Sequence, residues 1–264
     1  MKTRVISAIV IILILLACIP FEIPRILLLT VIGILCSYEL CINIDRNKDV
    51  KVKAWVLYAF MGITALLSIT HCMPMAYYSW FVFAVCLALF SGMLHKDVSG
   101  EGTLFTLAGL AYPCFPMSYI LIVAVSSRWA ESFALGIIST IICDTFALIF
   151  GTKFGKHKLA PDISPNKSIE GAVFGQLSSV ITALIVWFAF SFFKPIPFLT
   201  CLVTAFVASA AGQIGDLAES MIKRFLETKD MSNLIPGHGG VLDRVDSSLF
   251  AVPAAYFCLY LFGL

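Results

Sequence analysis

The chain has 264 residues, of which 60% are hydrophobic and 13% charged, with a formal net charge of +2. A soluble domain carries roughly 45–50% apolar and about 25% charged residues, and surface-to-volume scaling limits how much apolar surface one core can hide. A water-soluble globular domain is therefore excluded, and the near-neutral balance gives no footprint for a nucleic-acid partner.

Apolar runs recur from end to end at about 20 residues each, the length that a hydrocarbon core about 30 Å thick demands of a helix. About nine transmembrane helices are expected, near residues 5–20, 24–43, 54–70, 75–94, 104–125, 129–150, 171–193, 197–220 and 246–263. The predicted fold class is an all-α, polytopic integral membrane helical bundle. Of the 18 Lys and Arg residues, only Arg25, Arg128 and Lys194 fall on one side of this alternation, and the remaining fifteen on the other. Such a bias places the basic side in the cytoplasm. The N-terminus and the loops at 44–53, 95–103, 151–170 and 221–245 are thus expected there.

Met1 to Cys18 has a basic start and an apolar run like a signal peptide, and Leu15-Leu16-Ala17-Cys18 resembles a lipoprotein cleavage site. Further spans follow at once in a consistent alternation, so an uncleaved first helix is the expectation. The nine cysteines are scattered singly, with no Cys-x-x-Cys pair. Nearly all sit in apolar runs, where cysteine behaves as a small hydrophobe.

Residues 1–125 read as a transmembrane scaffold. Asn43 to Lys53 reads as a solvated, mixed-charge turn. Glu39, near the end of the second span, reads as an interfacial carboxylate, with a buried site as the alternative. Pro113 and Pro116 should kink the fifth segment, because each lacks a donor and clashes with the preceding turn.

Residues 126–264 read as the catalytic region, since polar and charged groups now enter the apolar spans. Asp144 lies within the sixth span, and an intramembrane acid is a functional candidate by default. The loop after it holds Gly151, Lys153, Phe154-Gly155-Lys156 and Ser164-Pro165-Asn166-Lys167-Ser168-Ile169-Glu170-Gly171. Glycines let the backbone approach a ligand, and lysines supply point charges for phosphate. A basic cytoplasmic loop would have the same composition, so both readings stay open. Ser168 is a candidate N-cap for the next helix, with Glu170 in its first turn.

The last cluster is more specific. Asp216, Glu219, Ser220 and Lys223 stand at i, i+3, i+4 and i+7, on one helix face with acid deep and base shallow. Snorkelling explains Lys223 and Arg224 at a helix end, but not Gln213 and Asp216 on the apolar side. Then come Lys229-Asp230 and Pro236-Gly237-His238-Gly239-Gly240-Val241-Leu242-Asp243-Arg244-Val245-Asp246. Gly237, Gly239 and Gly240 around His238 suggest a backbone-rich turn able to wrap a phosphate chain. Asp243 and Asp246 share a helix face, and two carboxylates plus substrate phosphates commonly hold Mg²⁺.

Residues 220–246 resemble the C-terminal hallmark of the phosphatidate cytidylyltransferases, or CDP-diacylglycerol synthases: Ser220-x-x-Lys223-Arg224, Lys229-Asp230, then Pro236-Gly237-His238-Gly239-Gly240-x-x-Asp243-Arg244-x-Asp246. Asp144, Phe154-Gly155-Lys156 and Ser164-Pro165-x-Lys167-Ser168-x-Glu170-Gly171 also resemble family motifs, Ser168 standing where threonine is frequent. Residues 1–125 match only in being apolar. The resemblance implies that CTP and phosphatidic acid give CDP-diacylglycerol and pyrophosphate. In it, Asp216 and Asp243 match positions associated with metal binding, with Asp246 as an added candidate. The expected cofactor is Mg²⁺, with a second cation left open. Lys223, Arg224, Lys229 and Arg244 are expected to stabilise phosphates, with Lys167 as a further candidate. His238 would either donate to the leaving pyrophosphate or orient the loop.

The nearest alternative is a CTP-dependent kinase of a polyprenol or phytol, and a rival of another class is a transporter with the buried acids as its ion site. The chain lacks long polar tails, which points to a bacterial inner membrane with the active site on the cytoplasmic face. A homodimer is left open.

Overall fold

The computed structural model describes residues 2–94, 100–191 and 195–263, apart from the side chains of residues 2–5, 8, 74 and 94. The expected loop at 95–103 and Lys194 therefore fall partly or wholly outside the described residues. The chain divides into two compact units, Met1–Ser126 with Phe225–Arg244, and Ser127–Arg224 with Val245–Leu264. The first division, at Ser126, lies beside the boundary expected at residue 125. Phe225–Arg244, expected within the C-terminal region, instead folds with the N-terminal helices.

The first unit contains α1 (Lys2–Cys18), α2 (Glu22–Lys48), α3 (Ala54–Ile69), α4 (Pro74–Leu94), α5 (Gly100–Gly109) and α6 (Phe115–Ala124). Between α5 and α6, Leu110–Cys114 forms a wide helical turn in which Tyr112 leaves helical geometry, the break expected at Pro113. Ile26, Leu57, Phe60, Met61, Leu110, Met117 and Leu121 form its buried centre. Helices approach closely where a side chain is missing: a Cβ on Gly33 of α2 would lie 2.8 Å from Met117 Cγ. Small residues serve this purpose between membrane helices, where packing rather than water exclusion drives association. Buried hydroxyls bond back to their own helix, as Ser37 does to the Gly33 carbonyl at 2.8 Å and Ser68 to that of Thr64 at 2.9 Å.

Two expectations for this unit are revised. Asn43 to Lys53 is a solvated turn only in part: Asp49 and Lys51 are exposed, but α2 runs on to Lys48, and Asn43 and Lys53 are buried. Lys53 Nζ donates to the Ser91 carbonyl at 2.7 Å. Glu39 takes the alternative reading, a buried site, being 1% exposed.

The second unit contains α7 (Trp129–Phe154), β1 (Lys158–Ala160), β2 (Ser164–Ser168), α8 (Ile169–Leu177), α9 (Ser179–Phe190), α10 (Phe198–Phe225, whose last residue belongs to the first unit) and α11 (Leu242–Leu261, from Val245 onward). Its core joins Leu135, Ala183, Val186, Ala205, Ala208, Ala251, Ala255 and Leu259. The predominance of alanine keeps these helices close, and Gly136 packs against Val252 with no room for a Cβ. The 151–170 segment is not a plain loop: α7 continues to Phe154, and β1 and β2 pair antiparallel, Lys158 with Ser168 and Ala160 with Ser164. Likewise α10 runs through Phe225, so the 221–245 loop begins later than expected.

Six helical stretches among the described residues are long and apolar enough to cross a membrane: Glu22–Lys48, Met75–Met93, Gly100–Ala124, Trp129–Phe154, Ile169–Phe190 and Phe198–Phe225. Ile9–Cys18 and Ala54–Ile69 are shorter apolar helices. The ninth expected span falls on α11, whose first turn carries Asp243, Arg244 and Asp246. The chain is an all-α polytopic membrane protein; among the described residues it carries one small hairpin and six stretches that meet the length and apolarity crossing requires, so the expected count of nine is not confirmed.

Arg25, 2% exposed, shows how a cation is kept in such surroundings. Its guanidinium donates to the Ala124 carbonyl at 2.8 and 3.0 Å and to that of Ile19 at 2.7 Å, placing positive charge at the C-terminus of α6. Arg25→Ala leaves buried carbonyls without these donors and should destabilise the protein by about 2 kcal/mol. Thermal melting of the purified protein in detergent is expected to show a lower midpoint.

Candidate functional site

In the second unit, α7, the hairpin and α8 enclose one side of a cleft of about 240 Å³, and α10 supplies another. α7 and α8 meet through glycine: a Cβ on Gly171 would lie 2.7 Å from the Ala147 carbonyl and 3.0 Å from Gly151 Cα. Ser168 caps α8 as expected, its hydroxyl accepting from the Gly171 amide at 3.1 Å. Lys167, one residue earlier on β2, is thereby held at the cleft, where its ammonium pairs with the Asp216 carboxylate of α10. Asp144 of α7 lines the same cleft. Gln213, one turn before Asp216, donates to the Ala172 carbonyl at 3.3 Å and so ties α10 to α8.

The structure thus brings together Asp144, Lys167, Ser168 and Asp216, which the sequence placed in two clusters. Two carboxylates against one ammonium leave the cleft net negative, a setting that attracts a cation and opposes a bare phosphate. Among the described residues, no group of three or more His, Cys, Asp or Glu side chains comes together. A closed protein cage is not formed by them, whereas one or two carboxylates completed by phosphate and water is the donor set that suits Mg²⁺.

Other expected site residues have structural partners. Glu170 accepts from the Lys156 amide at 3.0 Å, the His157 amide at 3.2 Å and His157 Nδ1 at 2.7 Å, so it closes the base of the hairpin. Arg224 Nε donates to the Ile163 carbonyl at 3.1 Å in the hairpin turn. Ser164 opens β2 opposite Ala160. Lys223 pairs at 2.6 Å with Glu219, which is fully buried. Ser220 is half-buried on α10. At the α10–α11 contact, a Cβ on Gly215 would lie 2.7 Å from the Asp246 carbonyl oxygen, so Asp246 stands beside the backbone that carries Asp216.

In the first unit, the glycine-rich loop is not an open nest of amides. The Gly240 amide donates to Asp243 Oδ2 at 2.9 Å, and the Met231 amide donates to the same oxygen at 3.0 Å. The Val241 and Leu242 amides donate to Glu39 at 2.8 Å each. The His238 amide is taken by the Ile235 carbonyl at 2.9 Å. The Gly240, Val241 and Leu242 amides, which a phosphate-wrapping turn would offer, are thus engaged by the protein's own carboxylates. Gly237 and Gly239 sit at φ of 80° and 86°, where glycine alone is unstrained, and shape the turn. His238 Nδ1 lies 2.9 Å from Ser7 Oγ, and the Arg244 guanidinium donates to the His238 carbonyl, at 2.8 Å from Nε. Lys229 is exposed in a polar cleft that Arg46 and Asn43 also line. Glu39 was the residue the sequence reading undervalued; an acid well inside an apolar helix was the available signal.

Comparison with known proteins agrees with the motif reading. The profile described as the cytidylyltransferase family matches residues 2–262. A phosphatidate cytidylyltransferase of Bacillus subtilis (strain 168) is 45% identical over 120 residues, 46% of this chain and 44% of that protein. One from Staphylococcus haemolyticus is 48% identical over 112 residues, 42% of each chain, and one from Staphylococcus aureus (strain COL) is 45% identical over the same length. The chain thus spans somewhat under half the length of the curated relatives it matches.

The glycine contact that builds the cleft is testable. Gly171→Ala should push α8 off α7 and lower the melting midpoint. Gly62→Ala, in an α3 site where a Cβ meets nothing within 4 Å, should raise stability by up to about 1 kcal/mol through helix propensity. Paired thermal melts check both directions.

Proposed function

The chain belongs to the cytidylyltransferase family, and from that premise we propose that it transfers the cytidylyl group of CTP to phosphatidic acid, giving CDP-diacylglycerol and pyrophosphate. The observation that carries this reading is the juxtaposition of Asp144, Asp216 and Lys167 at one cleft of a membrane-embedded unit. A lipid phosphate oxygen attacks the α-phosphorus of CTP in line, a P–O bond forms, and pyrophosphate leaves. The attacking phosphate is already ionised, so no general base is needed, and the task is to neutralise two anions brought together.

Asp216 and Asp246, both of the second unit, are the proposed Mg²⁺ ligands there, with Asp144 lining the same cleft as Asp216. Asp243, on the loop of the first unit, is proposed as a ligand on its motif position. Bound Mg²⁺ would offset phosphate charge and polarise the reacting phosphoryl group. With a cation held by Asp216, Lys167 would be free to pair with a substrate phosphate. Lys223, Arg224, Lys229 and Arg244 are proposed to hold phosphate oxygens, and Ser164, Ser168, Ser220 and Glu170 to shape their surroundings. His238, whose Nδ1 faces Ser7, is proposed to orient the loop.

The basic loops support a cytoplasmic N-terminus and active face, and the bacterial relatives support a bacterial inner membrane. CTP would then arrive from water and phosphatidate from the bilayer.

Purified protein with Mg²⁺ and CTP is expected to release pyrophosphate only when phosphatidic acid is present. Asp216→Asn should lower turnover on the order of 100-fold or more while leaving the melting midpoint near that of the wild type. Pyrophosphate release without phosphatidate, or an active Asp216→Asn, contradicts the proposal. CDP formed from a polyprenol would assign the lipid kinase instead.

A further inference from the structure

Glu39 lies in the middle of a helix to which the sequence assigns no role, yet its carboxylate is 1% exposed and receives three hydrogen bonds from one distant segment. Val241 and Leu242 amides each donate at 2.8 Å, and Ser232 Oγ donates at 2.5 Å. These partners stand 193 to 203 residues away along the chain. A carboxylate has only acceptors, so donors from both arms of the glycine-rich loop converge on it. Leu242 is also the first residue of α11, so Glu39 supplies the anion that satisfies the partnerless amides and positive pole of that helix start.

Two further observations bind the same loop to the same helix. Asn43, one turn after Glu39, donates through Nδ2 to the Met231 carbonyl, and the Met231 amide donates to Asp243 Oδ2. A Cβ on Gly240 would lie 2.8 Å from Glu39 Oε2 and 2.9 Å from Asp243 Oδ2. Gly240 therefore has no side chain because two carboxylates close on its backbone from either side. The amides that orient Asp243 are held in place by α2.

We propose that Glu39 is a positioning residue for the reaction: it fixes the 231–242 loop from the N-terminal scaffold and so sets the direction of the Asp243 carboxylate. This rests on the reading of Asp243 as part of the active site. A displaced reacting group loses rate more than affinity, because alignment matters in the transition state.

The test uses the full chain in lipid nanodiscs, with Glu39→Gln and Ser232→Ala. Glu39→Gln keeps the size but turns an NH₂ toward an amide donor. Steady-state turnover is measured for CTP and phosphatidate, together with hydrogen exchange at the backbone amides. For Glu39→Gln, kcat is expected to fall on the order of 10- to 100-fold, with either KM changed by less than about threefold. The amides of 240–242 should lose protection while those of α2 and α3 keep theirs. Ser232→Ala, which removes one donor and leaves the carboxylate, should show the same pattern more weakly. Unchanged kcat in Glu39→Gln, or unchanged protection at Val241 and Leu242, overturns the proposal. Protection lost across α2 and α3 as well overturns it too, since Glu39 would then be a general stability element. Should the wild type not turn over CTP, the functional reading fails, while the exchange at Val241 and Leu242 still decides whether Glu39 holds the loop.

Discussion

A carboxylate buried among apolar helices must find hydrogen-bond donors, and in the first unit Glu39 finds them in the backbone of a loop that comes much later in the chain. Isolated charge in such a place costs several kcal/mol, so the carboxylate and the loop require each other. Without the loop, α2 would carry an unmatched acid. Without the acid, the Val241 and Leu242 amides at the start of α11 would lack this acceptor. This explains why Phe225–Arg244 folds with the N-terminal helices and not with the residues that flank it. The N-terminal helices are thereby more than a membrane anchor.

The second unit meets the same constraint differently. Two of its acids are matched by side-chain cations, Asp216 by Lys167 and Glu219 by Lys223. Its polar backbone is matched locally, through the Ser168 cap and the Glu170 closure of the hairpin. Small residues do the rest. Gly151, Gly171, Gly212 and Gly215 let helices touch backbone to backbone or against a single side chain, so acids spaced far apart in sequence reach one cleft without distorted helices. Rigid elements position such groups better than free loops do.

Much of this was legible in the sequence. Apolar runs located every helical segment, and the Pro113 break and the Ser168 cap follow from local chemistry. The residues of the 220–246 motif were visible as a set. What was hidden was hidden for physical reasons. The hairpin at 158–168 has strands of three and five residues, too short for a periodic pattern. The glycine-rich loop reads as a phosphate nest because composition reports donors and not their partners; Glu39 and Asp243 take the Gly240, Val241 and Leu242 amides. Glu39 itself could not be paired from sequence, since its partners lie some 200 residues away. Among the described residues α11 falls outside the six long apolar stretches because it opens on charge, and Ala54–Ile69 because it is short.

The chemistry proposed for this family member turns on which phosphorus of CTP reaches the lipid. Attack at the α-phosphorus needs the nucleotide's triphosphate neutralised along its length, which fits a cleft where Asp144 and Asp216 attract a cation and Lys167 supplies positive charge. The most direct measurement is therefore the fate of radiolabel when the wild-type protein, Mg²⁺ and phosphatidic acid are given CTP labelled at either the α- or the γ-phosphorus. Label from the α position should appear in the lipid fraction and label from the γ position in pyrophosphate. Label from the γ position in the lipid, or no label transferred by folded protein, would contradict cytidylyl transfer.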